Sequence, residues 1–207
     1  MGKKLELAVA VLNGAVGDHL ARTGNGLATA MTLVANGRPL ACTRAALAAA
    51  HPEASARIVI LVHGLMCTED IWTLPDGSDY GSLLARDHGF TPLYVRYNSG
   101  LPIAENGKAF AALLDALVAA YPVTIEEIVT IGYSMGGLVV RSACHLASVA
   151  APTSACSRSC GARCTWERLT SARRWSAWGG WWRSCCARST IRTRSSPPSS
   201  PISGATA

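Results

Sequence analysis

No stretch of this 207-residue chain is apolar for long enough to cross a bilayer, so a membrane-spanning helix is not expected. Charged residues are scarce at 15%, against 49% apolar, which argues against a disordered or collagen-like chain. Regular cysteine spacing is missing from residues 1–151, where Cys42, Cys67 and Cys144 are scattered, so no secreted disulfide scaffold is indicated. The strongest deficits lie in residues 152–207. They contain no Lys, Asp, Asn, Gln, His, Val, Met, Phe or Tyr, a single Leu and two Ile. That composition supplies too little apolar surface for a core.

What is present divides the chain in the same place. Residues 1–151 carry 10 Lys and Arg against 12 Asp and Glu, whereas residues 152–207 carry 9 Arg against Glu167 alone. The formal net charge of +6 therefore comes from the last 56 residues, which also hold five of the eight Cys and five of the six Trp. The expected organisation is a folded unit over 1–151 and a basic, irregular segment over 152–207 that is not a domain. No internal repeat is visible.

At the N-terminus, Lys3 and Lys4 precede an apolar run in the manner of a signal peptide. Glu6 interrupts the run, Asn13 and Gly14 follow it, and no small-x-small cleavage site appears. Leu5, Val9, Leu12, Val16 and Leu20 share a helix face, which points to a packing helix in a cytoplasmic protein. Residues 28–34 are expected to form an outer strand and 44–50 a helix.

From Arg57 the chain alternates. Arg57–Val62 (RIVILV) reads as a strand covered on both faces, 80–87 as a short helix and 91–97 as the next strand. A long helix over 105–121 ends at Pro122, Glu127–Gly132 (EIVTIG) is a third strand and 135–150 a third helix. Such alternation predicts an α/β fold with parallel strands.

Between the third strand and the third helix lies Gly132-Tyr133-Ser134-Met135-Gly136, a G-x-S-x-G motif in the strand–turn–helix setting that a nucleophile elbow requires. A serine there sits on a strained turn at a helix N-terminus, whose amides and dipole favour developing negative charge. His63-Gly64-Leu65-Met66 follows the Arg57–Val62 strand, at the carboxyl ends where open α/β sheets bind ligands. Together these segments resemble the α/β-hydrolase superfamily, more narrowly bacterial serine esterases and lipases with HGL at the oxyanion site and GHSMGG at the elbow. The resemblance covers residues 57–150, with Tyr133 in place of the His common there. It implies Ser134 as nucleophile and the amides of Leu65 and Met135 as oxyanion donors. His63, Gly64, Gly132, Tyr133 and Gly136 would shape the site, and no metal or organic cofactor would be needed. It also implies a mostly parallel sheet flanked by helices, incomplete on its C-terminal side.

The rest of a catalytic triad is not identifiable. In this fold an Asp or Glu and then a His follow the serine. After Ser134 the only His is His145, eleven residues along the same helix and so about 16 Å away, no Asp follows, and Glu167 is the sole carboxylate. His63 is a candidate substitute base, while His19, His51 and His88 read as surface or helix-end residues. The Tyr97-Asn98-Ser99-Gly100 segment lies after a strand on the site side, as an acyl-pocket wall or a plain turn.

The Arg, Ser, Cys, Trp and Pro of the last 56 residues match GC-rich DNA read out of frame. Joining the third base of each codon to the next two across Cys164–Leu169 permits His-Leu-Gly-Ala-Pro, with an obligatory Gly from the Trp166 and Glu167 codons. The same shift turns Trp181-Trp182 into Val and Cys185-Cys186 into Leu. Alternatives are a metal held by Cys156, Cys160 and Cys164, whose spacing is not C-x-x-C, and a nucleic-acid or anionic-membrane surface of Arg and Trp. Ser195–Pro201 reads as a linker.

The expectation is a serine hydrolase cleaving carboxylic esters, acting on a small acyl-ester or lipid without a specific nucleic-acid partner. The alternative is a catalytically incomplete hydrolase fragment or a binding module. Resequencing the coding DNA from codon 140 onward should reveal an inserted or deleted base that restores H-x-G-A-P and a later Asp and His. A clean frame through codon 207 would remove the frameshift reading.

Overall fold

The computed structural model describes residues 2–149 and 163–166, all within a unit that spans Met1–Thr170. Five helices and six strands follow in chain order: α1 Lys3–Arg22, β1 Thr32–Ala35, β2 Arg38–Leu40, α2 Arg44–Ala50 and β3 Arg57–Val62. Then come α3 Tyr80–His88, β4 Thr91–Arg96, α4 Ile103–Ala120, β5 Glu127–Gly132, α5 Met135–Val149 and β6 Arg163–Trp166. A short 3₁₀ turn, Glu69–Trp72, precedes α3. The strands form one sheet in the order β2-β1-β4-β3-β5-β6, so the protein is α/β with helices flanking a mixed sheet.

The parallel part is β4-β3-β5-β6. In β3, Ile58 to Val62 are all at most 1% exposed, as a strand covered on both faces requires. Ile58, Ile60 and Val62 join Leu93 and Val95 of β4 in one core, closed by Phe110, Leu114 and Leu117 of α4 and Val139 and Val140 of α5. The alternate positions of β4 face the other layer. There Tyr94 hydrogen-bonds Asp79, the cap of α3, and Arg96 pairs with Glu69 and Glu6.

Three expectations are corrected. The outer strand foreseen over 28–34 is β1, which starts only at Thr32, pairs antiparallel with β4 and is extended into a hairpin by β2, so a mostly parallel sheet becomes mixed at this edge. Its turn is Asn36-Gly37, both left-handed at φ 51° and 71°, the dipeptide that suits a two-residue hairpin loop. In α1, Leu5, Leu12 and Val16 are exposed, with only Leu20 of the foreseen face buried and Val9 half-buried. The helix bends at Val16 (φ −138°) and packs instead through Asn13, Gly17 and Leu20. Polar and small residues win because the surface they meet is backbone: Asn13 Nδ2 donates to the Leu27 carbonyl, and Thr29 N–H donates to Asn13 Oδ1.

Third, the segment foreseen as irregular contains a strand next to β5. β6 pairs with it in parallel, Val129 opposite Arg163 through Gly132 opposite Trp166. The irregular segment foreseen over 152–207 otherwise lies outside the described residues, as do Glu167 and the linker at 195–201. No helix among the described residues is long and apolar enough to cross a membrane.

Leu117 is fully buried beneath the sheet. Leu117→Ala is expected to cost about 3 kcal/mol, through lost burial and the cavity left behind. Urea unfolding should show a lower midpoint at an unchanged slope.

Candidate functional site

Val62 and Gly132 are register partners at the carboxyl ends of β3 and β5, so the segments after them emerge side by side. Tyr133 N–H donates to the Val62 carbonyl at 2.9 Å and ties the second turn to the first strand. Ser134 follows with φ 51°, a left-handed conformation uncommon for a residue with a Cβ and worth about 1 kcal/mol or more of strain. Its side chain is exposed and stands one residue before α5 begins.

The close approach depends on glycine. A Cβ on Gly136 would collide with the Val62 and His63 carbonyl oxygens, and one on Gly132 with the backbone of Gly137. Either collision is with backbone, which cannot move aside. A Cβ on Gly64 would lie 3.0 Å from the Tyr133 ring and 3.3 Å from Ser134 Cβ. The segment after β3 therefore lies directly against the Ser134 turn. The sequence-derived residues His63, Gly64, Gly132, Tyr133, Ser134 and Gly136 are brought together, with Met135 opening α5.

Within that loop the carbonyl of Gly64 is gripped twice, by His63 Nδ1–H at 2.9 Å and by Cys67 N–H at 3.4 Å. Because a trans peptide sets its N–H opposite its C=O, these bonds aim the Leu65 N–H away from His63. Among the described residues neither the Leu65 nor the Met135 amide has an acceptor. Two such amides beside an exposed serine are the donors an oxyanion needs, each worth roughly 3–4 kcal/mol in sites of this kind.

His63 is fully buried, its ring stacked on Tyr97 with centroids 4.4 Å apart, and the Tyr97 hydroxyl donates to the His63 carbonyl at 2.8 Å. Since Nδ1 faces a carbonyl, it carries the proton and Nε2 holds the lone pair, without a partner among the described residues. Burial pushes the imidazole down to about 4, against smaller opposing effects of the Gly64 carbonyl and Glu69. So weak a base, with no bond to Ser134, fits a shaping role better than that of substitute base. Tyr133 is also structural: its ring meets Trp72 edge-on, centroids 6.5 Å apart.

The remaining histidines stand apart. His145 is exposed on α5, His19 is exposed in the last turn of α1, His51 caps α2 and His88 ends α3. Ser134 Oγ has no hydrogen-bond partner among the described residues. Among them, too, no three of His, Cys, Asp and Glu gather as a metal would need. The candidate metal cysteines lie outside the described side chains.

What sequence reasoning missed is the role of the segment after β4. Tyr97, Asn98 and Ser99 are at most 3% exposed, too buried for a plain surface turn. Tyr97 alone of them lines a cavity of about 550 Å³, whose other walls include Val9, Leu27, Cys67 and Thr68.

Folding keeps His63 neutral, and this has a pH signature. The unfolded chain takes up the proton near pH 6.5, the folded chain only near pH 4. Stability is therefore full above pH 6.5 and falls as the pH drops through this window, by about 3 kcal/mol at its lower end. His51, also lowered by burial, adds to the slope with the same sign. Denaturant unfolding between pH 7 and 4 should show the decline, and His63→Phe should flatten most of it. Compared with family models, curated proteins and solved structures, the chain matches none.

Proposed function

We propose that this chain is a serine hydrolase of the α/β-hydrolase type that cleaves carboxylic esters through an acyl-enzyme on Ser134. The observation that carries the reading is Ser134 itself, exposed and left-handed between β5 and α5, with the Gly64 loop pressed against it. An ordinary strand-to-helix turn has no need of a non-glycine residue at positive φ, and such strain concentrates at functional sites.

In this reading Ser134 Oγ attacks the acyl carbon and gives its proton to a solvent water, since no side-chain base meets it among the described residues. The carbonyl oxygen becomes an oxyanion held by the Leu65 and Met135 N–H groups, helped by the positive end of α5. The alcohol leaves with a proton, and water attacks the acyl-serine to release the acid and restore Ser134. Burial and the Nδ1–H bond favour His63 as holder of the Gly64–Leu65 peptide over proton transfer. The attack is driven by a base only where a His and its carboxylate partner reach Ser134.

A second reading, an incomplete hydrolase fragment that does not turn over, is favoured by a Ser134 Oγ with no hydrogen-bond partner among the described residues and by a 207-residue sequence that holds no His after His145. Hydrolysis of p-nitrophenyl acetate separates the two. The enzyme reading expects Ser134-dependent release of p-nitrophenol that Ser134→Ala reduces to the buffer background, a loss of at least about 100-fold. Equal rates in both proteins would leave only the fragment reading.

A further inference from the structure

The turn after β4, Tyr97–Gly100, reaches three separate parts of the molecule. Asn98 Nδ2 donates to the Gly17 carbonyl of α1 at 2.8 Å, and Asn98 Oδ1 accepts the Gly100 N–H at 3.0 Å. Asn106 of α4, 1% exposed, donates to the Asn98 carbonyl at 3.0 Å. Gly100 lies so close to Asn13 and Gly17 of α1 that a Cβ would strike their backbone. The turn is thereby pinned on both sides.

Its two other side chains reach the loop after β3. Tyr97 holds the His63 carbonyl, and Ser99 Oγ accepts the Met66 N–H at 3.0 Å. These bonds fix the peptide planes on either side of the Gly64–Leu65 peptide, whose own N–H has no acceptor among the described residues. The second of them bears on a strained residue, because Met66 is left-handed at φ 58°. A methionine stays in that conformation only where its surroundings determine it. Here they do so from two sides: Ser99 Oγ holds the amide, and Gly14 of α1 leaves room for the side chain, since a Cβ at Gly14 would overlap Met66 Cγ and sit 3.1 Å from its nitrogen.

We propose that Ser99 is a positioning residue of the site: its Oγ fixes the Leu65–Met66 peptide, holds Met66 left-handed and so keeps the Leu65 N–H presented at the Ser134 turn. The proposal rests on the reading of Ser134 as nucleophile and Leu65 as oxyanion donor. Ser99 touches no reacting atom and acts through the loop. Without its oxygen, the Met66 amide has no acceptor among the described residues, and of the bonds that hold the 65–66 peptide only the one from Cys67 Sγ to the Leu65 carbonyl, at 3.3 Å, remains.

The test compares the full-length chain with Ser99→Ala, Ser99→Thr and Gly14→Ala, the last pressing on Met66 from the opposite side. Ester hydrolysis, fluorophosphonate labelling of Ser134, amide hydrogen exchange at Met66 and the melting temperature are read on each. Ser99→Ala should lower kcat and the labelling rate about 10- to 100-fold with KM within about twofold. Met66 amide exchange should rise at least about tenfold at an almost unchanged melting temperature. Ser99→Thr, which keeps the acceptor, should recover most of the rate. Gly14→Ala should show the same kcat-selective loss, so the proposal does not hang on how well Ser99 variants fold.

A Ser99→Ala chain with wild-type kcat, or one whose loss follows the unfolded fraction alone, overturns the proposal while leaving Ser134 as nucleophile. A wild-type chain that neither hydrolyses esters nor takes the label overturns the reading of Ser134 and this proposal with it.

Discussion

The constraint on which the rest of the structure depends is the distance between the head of α5 and the end of β3. Gly136 sits under the Val62 and His63 carbonyls with no room for a methyl group, and Tyr133 N–H closes on Val62. The turn from β5 into α5 must then be completed within Ser134, which takes the left-handed conformation as a result. The exposed Ser134 and its contact with Gly64 follow from that spacing. Packing on the far side maintains it, since Val139 and Val140 of α5 are buried against the same core as Val62.

The parts legible in the sequence are those where one periodicity acts alone. β3 is an unbroken apolar run and β5 is interrupted only by Thr130, and both are buried on both faces with parallel partners. The helix expected over 105–121 is α4, beginning two residues earlier and ending at Ala120 ahead of Pro122. Ser134, Gly132 and Gly136 were readable because a sharp strand-to-helix turn permits few residue types. The conformation at Ser134 is the one that motif led us to expect.

Elsewhere competing signals hid the answer. The Asn36-Gly37 pair is a strong hairpin marker, but the β2 residues beyond it include Arg38 and Pro39 and carry little apolar pattern. The leucines of α1 suggested an apolar packing face, yet the surface available to it is backbone and amide, so Asn13 and Gly17 decide its rotation. β6 was invisible because Arg163–Trp166 lacks the β-branched run that marks the other parallel strands. The segment after β4 looked like a turn by composition. Only the fold reveals that its amide and hydroxyl groups meet α1, α4 and the loop after β3.

The way α1 is held also bears on the order in which the molecule assembles. Its buried anchors come from far along the chain: Gly17 is bound by Asn98, 81 residues later, and Glu6 pairs with Arg96, 90 residues later. Loop closure on that scale is a slow, entropically costly step compared with forming a helix. During synthesis, α1 emerges before the distant residues that seat it. Until β4 and its turn exist, Glu6 and the Gly17 carbonyl lack the partners that seat them. A nascent chain halted before residue 96 would therefore carry an undocked α1 and, with it, an unsupported Met66.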